Sequence, residues 1–339
     1  MTTDQTSSSE RLAALVRSFP ERRVLVVGDL LADQFLFGEI SRVSREAPVL
    51  ILRHERTETV PGGAANCVMN LASLGARASI VGVVGEDETG RALVEKLEAA
   101  GVDCGGIITS PSLRTTTKVR VLAGQSHSPR QQVIRVDYES APLADTALEA
   151  ELVRLIREKE TAAEAVIVSD YNYGVASPGA VAHLRETAAA AGGRHVLVDS
   201  RFRLRDFSGF TSATPNEDEV EYVLSQRLAG DAALEAKGEQ LRRELGFKAL
   251  LVTRGKEGSM LFEGGAEPLR IRAVGSLDAV DVTGAGDTVI AAYALALASG
   301  ATFAEAAHLS NHAGGIVVMK RGTACVTPSE LLASLRENS

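Results

Sequence analysis

Cysteine is scarce: 339 residues carry three, Cys67, Cys104 and Cys325, far apart and never in C-x-x-C spacing. An odd count with that spacing argues against a disulfide framework or a zinc site, so reduced, buried thiols are expected. Of six histidines only His308 and His312 fall four apart, with no third ligand near them. Both are expected on a helix surface rather than on a metal. No apolar run reaches the ~18 residues that a membrane-spanning helix needs. Residues 1–10 are polar and Ser/Thr-rich, without the basic-then-apolar order of a signal peptide, and are expected to form a disordered arm. Blocks of like charge are missing as well. With 36 basic and 44 acidic residues the net charge is −8, a poor match to nucleic acid or an anionic membrane. These absences together point to the cytoplasm. There is no internal repeat or low-complexity linker, so residues 11–339 read as one domain with a lid rather than two independent domains.

What is present is alternation. Val/Ile/Leu-rich runs at residues 23–28, 78–84, 165–169, 195–199 and 249–253 read as buried strands. Continuous apolar strands suit a parallel sheet covered on both faces. Helical patterns lie between them: residues 11–19 put Leu12, Leu15, Val16 and Phe19 on one face, and residues 64–74 and 89–100 stop at Gly75 and Gly101. The expected fold is α/β, a doubly wound, mostly parallel sheet flanked by helices, with ligands at the carboxyl ends of the strands. Two segments break the rhythm. Residues 35–60 and 115–137 lack a helical period yet are rich in Val, Ile, Leu and Thr, and are expected to form a small β-sheet lid. Sheet edges and the apolar residues Phe35, Leu36, Phe37, Val49, Leu50 and Ile51 point to a homodimer through that lid.

The richest stretch is Asp281-Val282-Thr283-Gly284-Ala285-Gly286-Asp287-Thr288, followed by a small-residue helical pattern that stops at Gly300. Gly-Ala-Gly at a helix N-terminus bares backbone N–H groups where the helix dipole adds positive charge, which makes an anion site. A lone aspartate in a first helical turn is ordinarily just a favourable charge. Beside such an anion site, Asp287 can instead take the proton of a hydroxyl attacking phosphorus. Asp29 and Asp33 follow the first strand, where carboxylates are placed to accept bonds from ligand hydroxyls.

The stretch D-V-T-G-A-G-D-T resembles the C-terminal motif of the ribokinase-like (PfkB) carbohydrate kinases. Pro61-Gly62-Gly63-Ala64-Ala65-Asn66 resembles their N-terminal glycine motif, in the same order along the chain. The resemblance implies transfer of the ATP γ-phosphoryl group to a sugar hydroxyl, with Asp287 as base and Gly284, Ala285 and Gly286 as anion hole. It implies sugar contacts from Asp33, Gly62, Gly63 and Asn66. Thr214-Pro215-Asn216-Glu217-Asp218-Glu219 is similar to the family's N-x-x-E element, whose carboxylate, here Glu219, helps to organise Mg²⁺ and the phosphates through water. The same spacing makes Asn216 and Glu219 a helix capping pair, and both roles can hold together. Thr253-Arg254-Gly255-Lys256-Glu257-Gly258 resembles the nucleotide loop, although by composition it is a turn; Asn311 matches a position near the adenine. Asp281 and Thr283 are candidates for the monovalent-cation (K⁺) site that some relatives have.

Within the family, residues 24–331 resemble the kinase half of the heptose-7-phosphate kinase/ADP-heptose synthase proteins, which phosphorylate an anomeric hydroxyl. The stretches Ser41-Arg42-Val43-Ser44-Arg45-Glu46-Ala47-Pro48-Val49 and Thr117-Lys118-Val119-Arg120 fit that group, as do Gln131 to Asp137 and Gly322 to Pro328. Lys118, Arg120, Arg135 and Arg201 are candidates to hold a sugar phosphate. The chain departs from the group at Tyr173 and at Asp199-Ser200-Arg201-Phe202, where lysines are usual, and is expected to lack the nucleotidyltransferase module that many of the group carry. Two other readings stay open: a kinase of this family for another sugar, sugar phosphate or nucleoside, and a non-catalytic sugar- or nucleotide-binding protein on the same fold. A dinucleotide-dependent oxidoreductase is disfavoured, because no G-x-G-x-x-G follows the first strand.

Overall fold

The computed structural model describes residues 2–124, 130–190, 194–275 and 278–338. Its first half contains strands β1 (Arg23–Gly28), β2 (Leu30–Val43), β3 (Leu50–Gly63), β4 (Arg77–Gly85), β5 (Asp103–Ser110), β6 (Thr116–Gly124), β7 (Gln131–Tyr138) and β8 (Ala165–Asp170). Strands β9 (His195–Ser200), β10 (Ser212–Ala213), β11 (Ala249–Thr253), β12 (Ser259–Glu263) and β13 (Leu269–Ile271) follow. The helices are α1 (Thr2–Ser18), α2 (Ala64–Ser73), α3 (Glu88–Ala99), α4 (Thr146–Glu160) and α5 (Pro178–Ala189), then α6 (Glu217–Leu224), α7 (Asp231–Leu245), α8 (Ala285–Ala298), α9 (Phe303–Val317) and α10 (Pro328–Glu337).

Nine strands form one sheet in the order β13-β12-β11-β10-β9-β8-β1-β4-β5. From β11 to β5 every pairing is parallel; β12 and β13 close one edge antiparallel. The continuous apolar strands are explained by two cores. Val24 and Val26 face one, packed by α1, α2, α8, α9 and α10, while Leu25 and Val27 face the other, packed by α4, α5 and α7. Successive side chains of one strand alternate between the two faces, so both sets must be apolar. Helix α8 is buried all round from Ile290 to Leu297, which makes it the central helix of the first core.

The two expected lid segments supply a separate four-stranded sheet, β3-β2-β6-β7. β2 pairs antiparallel with β3 and parallel with β6, and β6 pairs antiparallel with β7. This lid is longer than the sequence pattern indicates. β2 leaves the end of β1 after one residue, and β3 runs directly into α2.

The composition of residues 1–10 predicts a disordered arm; α1 runs from Thr2 to Ser18, with Met1 outside the described residues. Arg11 pairs with Glu305 (3.2 Å) and donates to the Gly300 carbonyl, and the Ser9 hydroxyl donates to the Leu335 carbonyl, which ties the middle of α1 to the body. His308 is exposed as expected, but His312 is buried with its Nδ1 2.8 Å from the Ser334 hydroxyl. Burial pushes the His312 pKa down to about 4, which leaves the ring neutral. Cys67 is buried and Cys104 and Cys325 half-buried, all three unpaired thiols. Among the described residues no helix is long and apolar enough to cross a membrane.

Candidate active site

The loops after β8, β9, β10 and β11 end at the same edge of the large sheet, and the N-terminus of α8 meets them there. They enclose a polar cavity of about 220 Å³ lined by Asp170, Tyr171, Asp199, Arg201, Thr214, Asn216, Glu219, Thr253 and Gly284 to Asp287. Gly284 precedes α8 with φ +76°, and no side chain caps the helix. The first-turn N–H groups of a helix lack intrahelical partners, so they are available to an anion in the cavity. Ala285 N–H already turns back onto the Val282 carbonyl (3.2 Å), which shifts the free donors to Gly286 and Asp287. A Cβ on Gly284 would lie 2.4 Å from Asn66 Nδ2, so no other residue lets the two glycine motifs interlock this closely.

Asp287 is buried, and both carboxylate oxygens are held. Asn66 Nδ2 donates to Oδ2 at 2.8 Å and the Tyr171 hydroxyl donates to Oδ1 at 3.0 Å. Asn66 is itself oriented by Asn70, which donates to its carbonyl (3.0 Å) and Oδ1 (3.2 Å), and Thr288 donates to Asn70 Oδ1 (3.1 Å). Burial pushes the Asp287 carboxyl up to about 6, against the opposing pull of the Asn66 and Tyr171 bonds and of Arg201. A carboxylate titrating near neutrality is a stronger base than an ordinary one and is still ionised at pH 7. Burial and the carboxylates of Glu219 and Asp287 push Asp199 well up, and burial pushes Glu219 up. Crowded acids of this kind favour a cation, although no three His, Cys, Asp or Glu side chains among the described residues form a complete metal site. Glu219 with one or two neighbours, water and phosphate oxygens suits Mg²⁺.

The capping role is present too: Asn216 Oδ1 accepts from Glu219 N–H, and Glu219 Oε2 accepts from Asn216 N–H, both at 2.8 Å. Next to the polar cavity lies an apolar one of about 200 Å³, lined by Val274, Ala279, Val289, Asn311, Gly314 and Val318 among others. The two share Thr253, Val282, Ala285 and Gly286. Neither alone matches the ~300–1,000 Å³ of a usual small-molecule site, but together they make a slot with an apolar and a polar end, as a nucleotide requires. Gly255 and Gly258 line the apolar end, and Asn311 donates to the Arg272 carbonyl (2.8 Å).

On the lid side, Asp33 is buried and accepts from Arg120 at 2.9 Å, and a Cβ on Gly62 would lie 2.7 Å from Asp33 Oδ2. Gly63 follows with φ +57° at the start of α2. Asp33 and Lys118 are paired across β2 and β6. Lys118 lies 5.6 Å from the Tyr171 ring centroid, and Arg201 lies 4.8 Å from it.

Residues 21–330 match the pfkB family of carbohydrate kinases. The chain belongs to that family. The bifunctional protein HldE of Desulfatibacillum aliphaticivorans is 38% identical over 322 residues, covering 95% of this chain and 65% of that protein. HldE of Caulobacter vibrioides is 40% identical over 329 residues, 96% and 65% of the two chains. This chain thus spans slightly less than two thirds of such relatives. Among solved structures, Arabidopsis thaliana ribokinase complexed with ribose and ATP gives a TM-score of 0.70 at 20% identity, over 93% of this chain and 98% of that one. Escherichia coli phosphofructokinase-2 in complex with potassium gives 0.74 at 18%, with the same two coverages. At that identity the likeness shows the fold, which is ribokinase-like.

In this kinase several expected site residues also serve the fold. Asp29, expected to bind sugar, accepts from the N–H groups of Tyr171 (2.8 Å), Tyr173 (3.0 Å) and Val175 (3.1 Å). It anchors the loop that carries Tyr171. Asp281 accepts from the N–H groups of Thr283 and Gly322, both at 2.9 Å, which closes its own turn and ties down a distant one. Arg135 is taken up by Asp137 at 2.9 Å and is half exposed. The stretch from Ser41 to Val49 forms the tip of the β2–β3 hairpin. Its start lies eight residues beyond Asp33, about 26 Å along an extended strand. Conversely, Tyr171 and Asp199 line the cavity although the sequence analysis gives neither a role. Both lie in or beside stretches compared with the family's elements, immediately after or at the end of apolar strands of a parallel sheet.

Proposed function

We propose that this chain is an ATP-dependent sugar kinase of the cytoplasm that phosphorylates the anomeric hydroxyl of D-glycero-D-manno-heptose 7-phosphate. The observation that carries the kinase reading is Asp287, a buried carboxylate titrating near neutrality in the first turn of an uncapped helix and lining the polar cavity. The heptose reading is supported by the HldE relatives and by Lys118 and Arg120, which put positive charge on the acceptor side. In this reading the apolar slot takes the adenine and the first-turn N–H groups of α8 hold the γ-phosphate. Asp33, Asn66 and the backbone at Gly62 and Gly63 orient the sugar, and Asp287 Oδ1 or Oδ2 takes its proton. The lid then covers the pocket and keeps water from competing as acceptor. The test is ATP consumption by the pure protein over a panel of sugars, sugar phosphates and nucleosides; turnover of none of them rejects the kinase.

A second acceptor, another sugar or sugar phosphate, is favoured by one feature. The Tyr173 hydroxyl is taken by Glu139 at a position where the heptose group usually carries lysine.

Glu219 would hold Mg²⁺ through water, with Asp199 near it, and the bound ion would neutralise phosphate charge. Glu219→Gln is expected to raise the Mg²⁺ concentration for half-maximal rate several-fold while leaving the sugar KM near wild type. An unchanged Mg²⁺ titration would reduce Glu219 to its capping role. Asp281 and Thr283 remain the proposed K⁺ position, supported by the potassium complex of the phosphofructokinase-2 relative; replacing KCl by NaCl checks it.

The lid also supports a homodimer. Strand β7 is exposed along its length, with Val133 and Ile134 on opposite faces at 45% and 55% exposure. At the hairpin tip Val43, Val49 and Leu50 are exposed, while Phe35, Leu36, Phe37 and Ile51 are half-buried. An apolar strand at a sheet edge is normally covered, and a second lid fits it. Light scattering at micromolar concentration should give a dimer, and Ile134→Lys should shift it towards monomer. A wild-type monomer would remove the proposal.

A further inference from the structure

Two arginines stand two residues apart on the loop after β9, and they are used differently. The Arg203 guanidinium pairs with the buried Asp170 carboxylate (3.2 Å) and donates to the Ala176 carbonyl (2.8 Å). It is a loop anchor. Arg201 makes no ion pair among the described residues; its guanidinium lies 4.8 Å from the centroid of the Tyr171 ring. It is also the one cationic side chain among the described residues lining the polar cavity, across from Gly284, Gly286, Asp287 and Glu219. The ring it rests on donates through its hydroxyl to Asp287, so cation and base are held by the same tyrosine. Stacking on an aromatic face leaves the N–H fork of a guanidinium free, which an ion pair would not.

We propose that Arg201 is a catalytic residue that grips the phosphoryl group while it passes from nucleotide to acceptor. This rests on the kinase reading above. In the transfer the acceptor oxygen forms a bond to the γ-phosphorus as the bond from that phosphorus to the bridging oxygen breaks. The electron pair stays on the β-phosphate oxygen, and the hydroxyl proton goes to Asp287. Charge is then spread over the equatorial oxygens of the moving group, and two parallel N–H donors of one guanidinium match two of them. Backbone N–H groups at the α8 N-terminus supply partial charges from one side, and Arg201 supplies a full one from another. Lys118, on the lid side of the same ring, is left for the acceptor. In the unliganded protein Arg201 instead offsets the carboxylates of Asp199, Glu219 and Asp287, which is why it can stay beside the cavity unpaired.

The test compares Arg201→Met, Arg201→Lys and Arg201→Ala with wild type, all with ATP, Mg²⁺ and the acceptor that wild type turns over fastest. Arg201→Met should lower kcat by about 10²–10³-fold, the usual effect of removing one donor to a charge-developing group, with both KM values within about threefold. Arg201→Lys should keep most of the charge effect and lose no more than about tenfold in kcat. Added guanidinium chloride, at sub-denaturing concentration, should raise the rate of Arg201→Ala and not of wild type. A raised acceptor KM with kcat retained would instead make Arg201 a reader of the bound sugar phosphate and overturn the proposal. Equal losses in the lysine and methionine variants, without guanidinium rescue, would overturn it in favour of a structural role. A wild-type protein that turns over no acceptor would overturn the kinase reading and this assignment with it.

Discussion

Asp287→Asn is expected to lower kcat by about 10²–10⁴-fold, because it removes the proton acceptor without changing the shape of the side chain. The fold should survive. The substituted amide can still accept from the Tyr171 hydroxyl through its oxygen, but its NH₂ group meets the Asn66 amide, and losing that bond costs about 1 kcal/mol. An opposing effect follows from the raised pKa. An aspartate whose folded pKa lies above its unfolded value contributes stability below pH ~4 and loses it as pH rises towards 6, so ionising Asp287 in place destabilises the wild type above that range. Asparagine does not ionise, and above pH 7 the two effects offset each other in the melting temperature. Activity depends on pH in the other direction. The base must be ionised, so wild-type kcat/KM should fall as pH drops through about 6, and the residual rate of Asp287→Asn should lack that limb. A variant that retains half the wild-type kcat would show that another group takes the proton.

Given the heptose reading, a phosphorylated sugar should exceed its neutral counterpart in kcat/KM by at least ~10²-fold. A dianionic phosphate accepts charge-assisted bonds that a hydroxyl cannot match, and binding energy far from the reacting carbon helps to position it. Lys118 is the cation best placed on that side: burial, then the nearby Arg201, pull its pKa below the ordinary lysine value. A bound phosphate would relieve both effects. Arg120 contributes differently, since one nitrogen is held by Asp33 and its Nε, buried, has no partner among the described residues. The comparison sets D-glycero-D-manno-heptose 7-phosphate beside fructose 6-phosphate, fructose and ribose at one ATP and Mg²⁺ concentration. Lys118→Met should shrink the ratio for the heptose phosphate about tenfold or more while changing turnover of neutral sugars little. Preference for a neutral sugar would end the heptose assignment and leave the kinase in place.

Much of the architecture was legible along the chain, since strand and helix periods and glycine stops are local signals. Each of the five apolar runs became a strand of the large sheet, and the glycine-rich stretch before residue 289 became the N-terminus of a buried helix. The candidate base, the anion-binding helix end and the Asn216–Glu219 capping pair were legible for the same reason: each depends on residues within one turn of one another. Partnership was not legible. Asn66 and Asp287 are 221 residues apart, and Arg120 and Asp33 are 87 apart on different lid strands, so only the packed sheet and lid bring them within hydrogen-bond reach. The same limit explains what local pattern could not show. The fold turns three backbone N–H groups onto Asp29, and His312, expected on a helix surface, lies on a face that α10 covers. Arg201 and Arg203 show it most sharply, being the same residue type two positions apart. Sequence determined that both follow a parallel strand at the ligand edge. Tertiary structure alone decided that Arg203 finds a buried carboxylate to pair with and Arg201 an aromatic face to rest on, because a side chain's partner is set by which distant segments the fold brings beside it.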